Sequence, residues 1–446
     1  MAPLGMTHLA RKLRLTDYFT FSFGAMVGVG WLVLMDDWLG RGGPLGAVLG
    51  FALGGAVLFP IGYVYGRLVI AYPDAAGEVA YTAEVFSPWA SYATGWMMLL
   101  AYAIVCPWEA VAIGRLASYI FPALNSHELY RISGQPVFLP HVLLGLVLTG
   151  LLLVLNYRGI RWSATFQNVT TFGLLLLVGI FGAAGVAHGR AGNFSPLFSA
   201  APLVSILLVL QIVPYFMTGF EAVSKAAEES HPDFPARDYM RAPLMAIAVG
   251  IFFYTGVIAM VCWAQPWQSF VHEKFSTAVA LERAVGAHWV VNVVMAAALL
   301  SLMKCFNANF VAASRLLFAM GRRGMVPGGL GRVHPAYRTP STAVLTIGCG
   351  TAVAMLLGPA LLVGITEVGS LAAAFGWMMA CAAYAAMKRA ARERVVGVMG
   401  AAIAALLVLM KIAPLVPGHF TLNEYIVLVV WIVLGLAFHR RPASSR

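Results

Sequence analysis

The chain is poor in charge: 11% of its 446 residues are Asp, Glu, Lys or Arg, against roughly 25% in an average soluble domain. That shortage excludes an ordinary water-soluble fold. Cysteine is scarce as well. The five present, Cys106, Cys262, Cys305, Cys349 and Cys381, all fall inside apolar runs without Cys-x-x-Cys spacing. They read as small core residues rather than a disulfide framework or a metal site. Ten histidines are scattered without metal-ligand spacing. The sequence has no His-Glu-x-x-His, no Gly-x-Ser-x-Gly and no phosphate-loop signature, which argues against a metalloprotease, a serine hydrolase and an ATP-driven pump. No metal, no cofactor and no enzymatic activity is expected. No cleavable signal is expected from the first apolar run, which is too long and leads into a glycine-rich turn and a second span.

What the chain has in abundance is apolar sequence, at 61% of positions. Runs of about twenty residues, enough to span a bilayer, begin near Thr16, Pro44, Trp89, Val137, Ser163, Pro202, Tyr239, His288, Thr342, Leu361, Val395 and Asn423. The expectation is an all-α, multi-pass membrane protein of about 12 helices, with both termini on one side. The cations follow the positive-inside rule. Arg11, Lys12 and Arg14 precede the first span, Arg158 and Arg161 follow the fourth, and Arg237 and Arg241 follow the sixth. Arg322, Arg323, Arg332 and Arg338 follow the eighth, Lys388, Arg389, Arg392 and Arg394 the tenth, and Arg440, Arg441 and Arg446 close the chain. The opposite loops hold little beyond Arg41, Arg131, Arg190 and Lys274. Both termini are therefore expected in the cytoplasm, and the net charge of +11 signals membrane orientation rather than a nucleic-acid partner.

Two spans are interrupted near their middle by glycine: the first at Gly24, Gly28 and Gly30, and the sixth at Gly219 within the stretch from Tyr215 to Glu221. Hydrocarbon offers no partner to a freed backbone group, so irregular backbone at bilayer depth survives only inside protein or around a solvated cavity. Broken helices at corresponding places in two halves point to the substrate site of a secondary transporter. The half helix starting near Gly30 would offer N–H groups and a positive dipole end to a carboxylate. The carbonyls ending the inner half of span one, and those around Phe216 to Gly219, would suit an ammonium group. Such opposed ends describe a receptor for a zwitterion. Trp31, Phe216 and Phe220 are candidates to cap it.

Ionisable residues inside the spans are functional candidates by default. Lys304 sits mid-span eight with Ser301 and Asn307 one turn to either side; a lysine shielded from water is a candidate proton carrier, or an internal cation, or one half of a static pair with Glu221 or Glu109. Glu221 follows the second break and is a candidate gate. Glu109 lies beside Pro107 and Trp108, with Arg115 or Lys304 as its alternative partner. Asp36 and Asp37 fall about 10 Å outward of the first break at the helical rise, where they would attract a cation to an outer vestibule or merely solvate a helix end. Glu367 has no evident partner. The stretch from Tyr72 to Pro88, with Asp74, Glu78 and Glu84, fits an amphipathic helix on the cytoplasmic surface. Glycines at 42, 46, 50 and 54 form a stripe for close helix packing, and residues 266–287 form an outer loop with a short helix.

At four landmarks the chain resembles the amino acid-polyamine-organocation (APC) superfamily of transporters. These are FGAMVGVGW in span one, PDAAGEVAYTAEVF after span two, TGFEAVSKAAEE in span six, and ASRLLFAMGRRGMVP running into HPAYRTPSTAV after span eight. The likeness covers nearly the whole chain. It implies a single domain over 1–446 with a LeuT-like five-plus-five inverted repeat (16–190 and 200–390), helices one and six broken, and two added helices over 395–440. It further implies alternating access, an amino acid or related amine as substrate, and proton symport or exchange in preference to sodium, in the inner membrane. Carried over by position, Val27, Gly28, Val29, Gly30 and Trp31 would take the carboxylate side. Phe216, Met217, Thr218, Gly219 and Phe220 would take the amino side, with Glu221 as the gate. Trp31 departs from the small aliphatic residue usual there. Some members carry a lysine in span five near a vacated sodium site; here Lys304 would serve from span eight, with Glu109 and Asn307 as further coupling residues. The alternatives are a polyamine or cationic amine exchanger, a membrane sensor that binds without transport, and, last, a membrane-embedded enzyme. Oligomeric state is left open.

Overall fold

Glycine, proline and the length of the apolar runs decide where the helices start and stop. The computed structural model describes residues 8–387, 390–416 and 419–440; Lys388, Arg389, Arg441 and Arg446 of the basic pattern lie outside them. In chain order the helices are α1 (Leu15–Met26), α2 (Gly30–Val33), α3 (Met35–Ala56), α4 (Phe59–Ala71), α5 (Glu78–Ala83), α6 (Pro88–Ala103) and α7 (Val105–Ile120). A short hairpin of β1 (Glu128–Ile132) and β2 (Gln135–Phe138) leads into α8 (Leu139–Arg158) and α9 (Ile160–His188). There follow α10 (Pro202–Leu210), α11 (Val213–Met217), α12 (Ala222–Lys225), α13 (Asp238–Ala264), α14 (Ser276–Val285) and α15 (Trp289–Arg322). The chain ends on α16 (Ser341–Ala354), α17 (Gly358–Ala386), α18 (Ala391–Ile412) and α19 (Leu422–Phe438).

Among the described residues nine helices are long and apolar enough to cross a membrane. The protein is thus an all-helical, multi-pass membrane protein. One end of the bundle holds the start of α1 and the arginine-rich connections, here the basic end; the other holds the β1–β2 hairpin. Helix α3 bends at Gly43 (φ 63°), ahead of Pro44, where the backbone of Phe198 comes so close that a Cβ at Gly43 would lie 2.8 Å from it. Below that bend the glycine stripe receives α10 and α11. A Cβ on Gly50 would sit 2.6 Å from Val209 Cβ, and one on Gly54 would sit 2.8 Å from Val213 Cβ. Small residues at this interface let the second broken helix lie directly on the helix that follows the first.

The segment after α4 departs from the amphipathic surface helix expected over Tyr72 to Pro88. Only Glu78–Ala83 is helical, and Glu78, Val79, Ala80, Tyr81 and Thr82 are buried. Gly77, at φ 51°, turns the chain inward, so Glu78 faces protein instead of water. Glu367, left without a partner by its sequence neighbours, is paired with Lys411 across α17 and α18.

Candidate functional site

The first break runs from Val27 to Val29. Val27 is extended (φ −102°, ψ 91°), and α2 restarts the helix at Gly30. The glycines here serve close approach: a Cβ on Gly30 would lie 2.7 Å from Phe216 Cε1, and one on Gly28 would strike Glu109 Oε1. The second break has Thr218 extended (φ −65°, ψ 135°) and Gly219 at φ 123°. Gly219 packs on the end of α1, so that a Cβ there would lie 2.5 Å from Ala25 Cβ and 2.9 Å from the Met26 nitrogen. The two breaks therefore touch. Gly219→Ala combines a backbone conformation that costs a non-glycine residue about 1–3 kcal/mol with about as much again from overpacking against backbone. We expect it to lower the melting temperature and to abolish transport, and uptake by a folded, fully active Gly219→Ala protein would contradict this packing.

The carbonyls freed by the first break are accounted for by the protein itself. Lys304 donates to Gly24 O (3.4 Å) and, more closely, to Val27 O. Ser301 Oγ lies 2.7 Å from Gly28 O and 3.1 Å from Val27 O. Asn309 donates to Ala25 O (3.2 Å) and Tyr254 to Met26 O (2.9 Å). This corrects the expectation that these carbonyls wait for a substrate ammonium. Their donors come from one stripe of α15, Ser301, Lys304, Cys305 and Asn309, together with Tyr254 of α13. Across the gap, the carbonyls of Met217 and Thr218 receive no hydrogen bond among the described residues.

Between the breaks lies a cavity of about 50 Å³, room for a water or two at about 30 Å³ each. Of the candidates, Gly28, Val29, Gly30, Glu109, Phe216 and Thr218 line it, with Trp108, Cys305, Asn309 and Ser370 as residues the sequence did not single out. Glu109 is 2% exposed, and its Oε2 has no hydrogen-bond partner; no ion pair joins it to Lys304 or Arg115 among the described residues.

The other candidates face elsewhere. Trp31 is stacked on Phe181 (5.8 Å) and points its indole N–H at Ser301 (3.4 Å). Phe220 packs on Trp377 (5.2 Å) and Tyr65 (5.9 Å), and the Met217 methyl lies by Gly55 and Gly250. Asn307 is held by Asn156 (2.9 Å), Ser163 (3.1 Å) and Gln167 (2.9 Å), a polar knot joining α8, α9 and α15. Glu221 accepts from the Gly219 N–H (3.0 Å) and from Tyr102 OH (3.1 Å), so it clasps the second break. Lys304 packs over the Phe23 ring at 5.0 Å, behind the first break and not in the cavity.

The basic end is sealed by charges. Lys225 pairs with Glu78, both fully buried, and Tyr65 donates to Glu78 at 2.7 Å. Arg315 and Glu229, also fully buried, form a two-pronged pair (3.0 and 3.2 Å). Burial pushes the Glu229 carboxyl above its ordinary range, even with the guanidinium beside it. Arg322 meets Glu228, and Arg323 meets Asp74 at 2.7 Å. These contacts bind the segment after span two to the ends of the sixth and eighth spans.

The hairpin end is open. A vestibule of about 370 Å³ is lined by Asp36, Arg115, His141 and Lys274 among others. Val33, Val111 and Arg115 also line a crevice that reaches Val29 and Trp108, which border the central cavity. Asp37 is spent on Arg41, four residues on, at 2.8 Å. Of the two vestibule candidates, Asp36 alone faces that space.

A bundle whose two broken helices meet at a small enclosed cavity, open by a crevice to one end and sealed at the other, has the build of a membrane carrier. The chain belongs to the amino acid permease family, which it matches over residues 17–437, within the APC superfamily. It is similar to the branched-chain amino acid permease BcaP of Bacillus subtilis, at 26% identity over 83% of this chain and 80% of that protein. The aromatic amino acid transport protein AroP of Escherichia coli is 22% identical over 98% of this chain and 97% of its own length. A methylthioribose transporter of Bacillus subtilis is 24% identical over 82% of this chain and 79% of that protein.

Proposed function

We propose that the protein carries an amino acid with an apolar side chain across the cytoplasmic membrane by alternating access, coupled to protons. The observation that carries this reading is the pair of touching breaks across one cavity. The N–H groups that start α2 stand on one side, the unclaimed carbonyl of Thr218 on the other, and the apolar walls of Phe216, Trp108 and Val105 lie between. A carboxylate would meet the first and an ammonium the second. Relatives named for branched-chain and aromatic amino acids support the apolar side chain. The nine long helices, the two broken spans and Leu422–Phe438 together fit twelve crossings in a five-plus-five arrangement with two added helices. The arginine distribution supports a cytoplasmic basic end with both termini on that side.

Lys304 replaces a coupling cation in this scheme. Its ammonium bridges Gly24 O and Val27 O, with Cys305 and Glu109 as the titratable groups nearest to it. The test is uptake into proteoliposomes from a panel of labelled amino acids, arginine and putrescine, with sodium and without, at two pH values. Leucine-like or aromatic amino acids are expected to enter, faster with an inward proton gradient and indifferent to sodium. Uptake of none of the panel would overturn the substrate class. Glu109 favours a second reading, exchange of cationic amines, because it is an acid that lines the cavity and forms no ion pair among the described residues. Uptake confined to arginine or putrescine would select it.

A further inference from the structure

Acids at both ends of the bundle are mostly paired, but at the hairpin end two charges facing one space are not. At the basic end Glu78, Glu228, Glu229 and Asp74 each have a cationic partner. At the hairpin end the Arg115 guanidinium has no hydrogen bond and no ion pair among the described residues, although the residue lines the vestibule. Asp36 faces the same space and likewise forms no ion pair, its neighbouring acid Asp37 being held by Arg41.

We propose that the vestibule is a second substrate subsite, in which the Arg115 guanidinium receives the carboxylate of an incoming amino acid and Asp36 its ammonium group. The inference rests on the functional reading above and extends it from the central cavity to the entrance. Three observations carry it. The vestibule, at about 370 Å³, has room for a whole amino acid before the central cavity, at about 50 Å³ in this conformation, opens to receive it. One unpaired acid and one unpaired guanidinium border it, the two charges of a zwitterion, and a guanidinium is the cation whose forked donors match a carboxylate. Arg115 also borders the crevice that leads to Val29 and Trp108, so a carboxylate held there is already at the mouth of the inward path. Lys274 and His141 line the same space. Arg115 is exposed to solvent, and Trp108, seven residues before it on α7, lies about 10 Å away along the helix at the helical rise.

The subsite predicts a change in KM that depends on the substrate's carboxylate. The experiment measures uptake of labelled leucine, phenylalanine or arginine, whichever the wild type carries fastest, into proteoliposomes, with the corresponding decarboxylated amine as competitor. Arg115→Gln is expected to raise KM about tenfold, the factor one charge-assisted hydrogen bond supplies, with Vmax within about twofold. The inhibition constant of the amine should stay at the wild-type value, and Arg115→Lys should recover most of the loss. Asp36→Asn should weaken amino acid and amine alike. A merely structural Arg115 would lower Vmax or the amount of folded protein, without distinguishing acid from amine. An Arg115→Gln protein with wild-type KM, or with equal shifts for both compounds, overturns the subsite while leaving the transporter reading intact. A wild type that carries none of the three amino acids overturns the transporter reading, and the subsite with it.

Discussion

Lys304→Met is expected to lower uptake by at least about tenfold and to remove its dependence on a proton gradient. Methionine matches the length of the stem but has no donor. It strands Gly24 O and Val27 O at bilayer depth, where each unpaired carbonyl costs about 1–3 kcal/mol. No water reaches them, since Lys304 and Val27 are both fully buried. The loss falls at the hinge between α1 and α2, so the two half helices lose the tether that fixes their angle. Ser301 can hold Val27 O and Gly28 O at once only weakly, and Gly24 O has no second donor within reach among the described residues. A drop in flux at every pH, in protein that is still folded at the assay temperature, supports Lys304 as the coupling group. Uptake that keeps its full proton dependence in Lys304→Met would move coupling to Glu109, the acid that lines the cavity. Sodium provides a separate control. Were wild-type uptake sodium-dependent, and the dependence to survive the replacement, Lys304 would not occupy a cation site at all.

The parts of this architecture that lie along the chain were legible in the sequence, and the parts made by distant residues were not. Glycine at 24, 28, 30 and 219 marked both breaks because it interrupts an otherwise apolar span, and the close approach of Phe216 to Gly30, with the positive φ of Gly219 against Ala25, supplies the reason. The stripe from Gly42 to Gly54 marked a packing face for the same cause. Lys304 and Ser301 were visible as polar residues in an apolar span, yet Asn309 and Cys305, one turn further on the same stripe, were passed over, although their spacing of four residues from Cys305 and Ser301 was there to be counted. Asn307 shared their span but points to α8 and α9; a polar flank read in sequence does not say which neighbour it meets. Glu78 and Lys225 were harder still. Their partnership joins residues 147 positions apart, and a short stretch with three acids looks like surface until the turn at Gly77 buries it.

Glu78→Gln is expected to be the most destabilising single change at the basic end. It leaves the Lys225 ammonium buried with Ser224 Oγ at 3.0 Å and a neutral amide, and breaking a buried pair in this way costs about 3–5 kcal/mol. Glu78 belongs to α5, which follows span two, and Lys225 closes α12, which ends span six. Weakening the pair therefore loosens the seal between the segments that must part if substrate is to leave at this end. Two consequences separate that idea from a general loss of packing. In Glu78→Gln, a cysteine placed at the buried position Ala227, 3% exposed, should react faster with a polar maleimide than it does in the otherwise wild-type protein. In the double variant Glu78→Gln, Lys225→Met no uncompensated charge remains, so the melting temperature should recover by much of what the single change removed. The faster labelling should persist in the double variant, because the ion pair that joined the two segments is still gone. Recovery of stability together with slow labelling would mean that Arg315 with Glu229 and Arg322 with Glu228 hold the seal without help from Glu78, and that the buried pair fixes local packing alone.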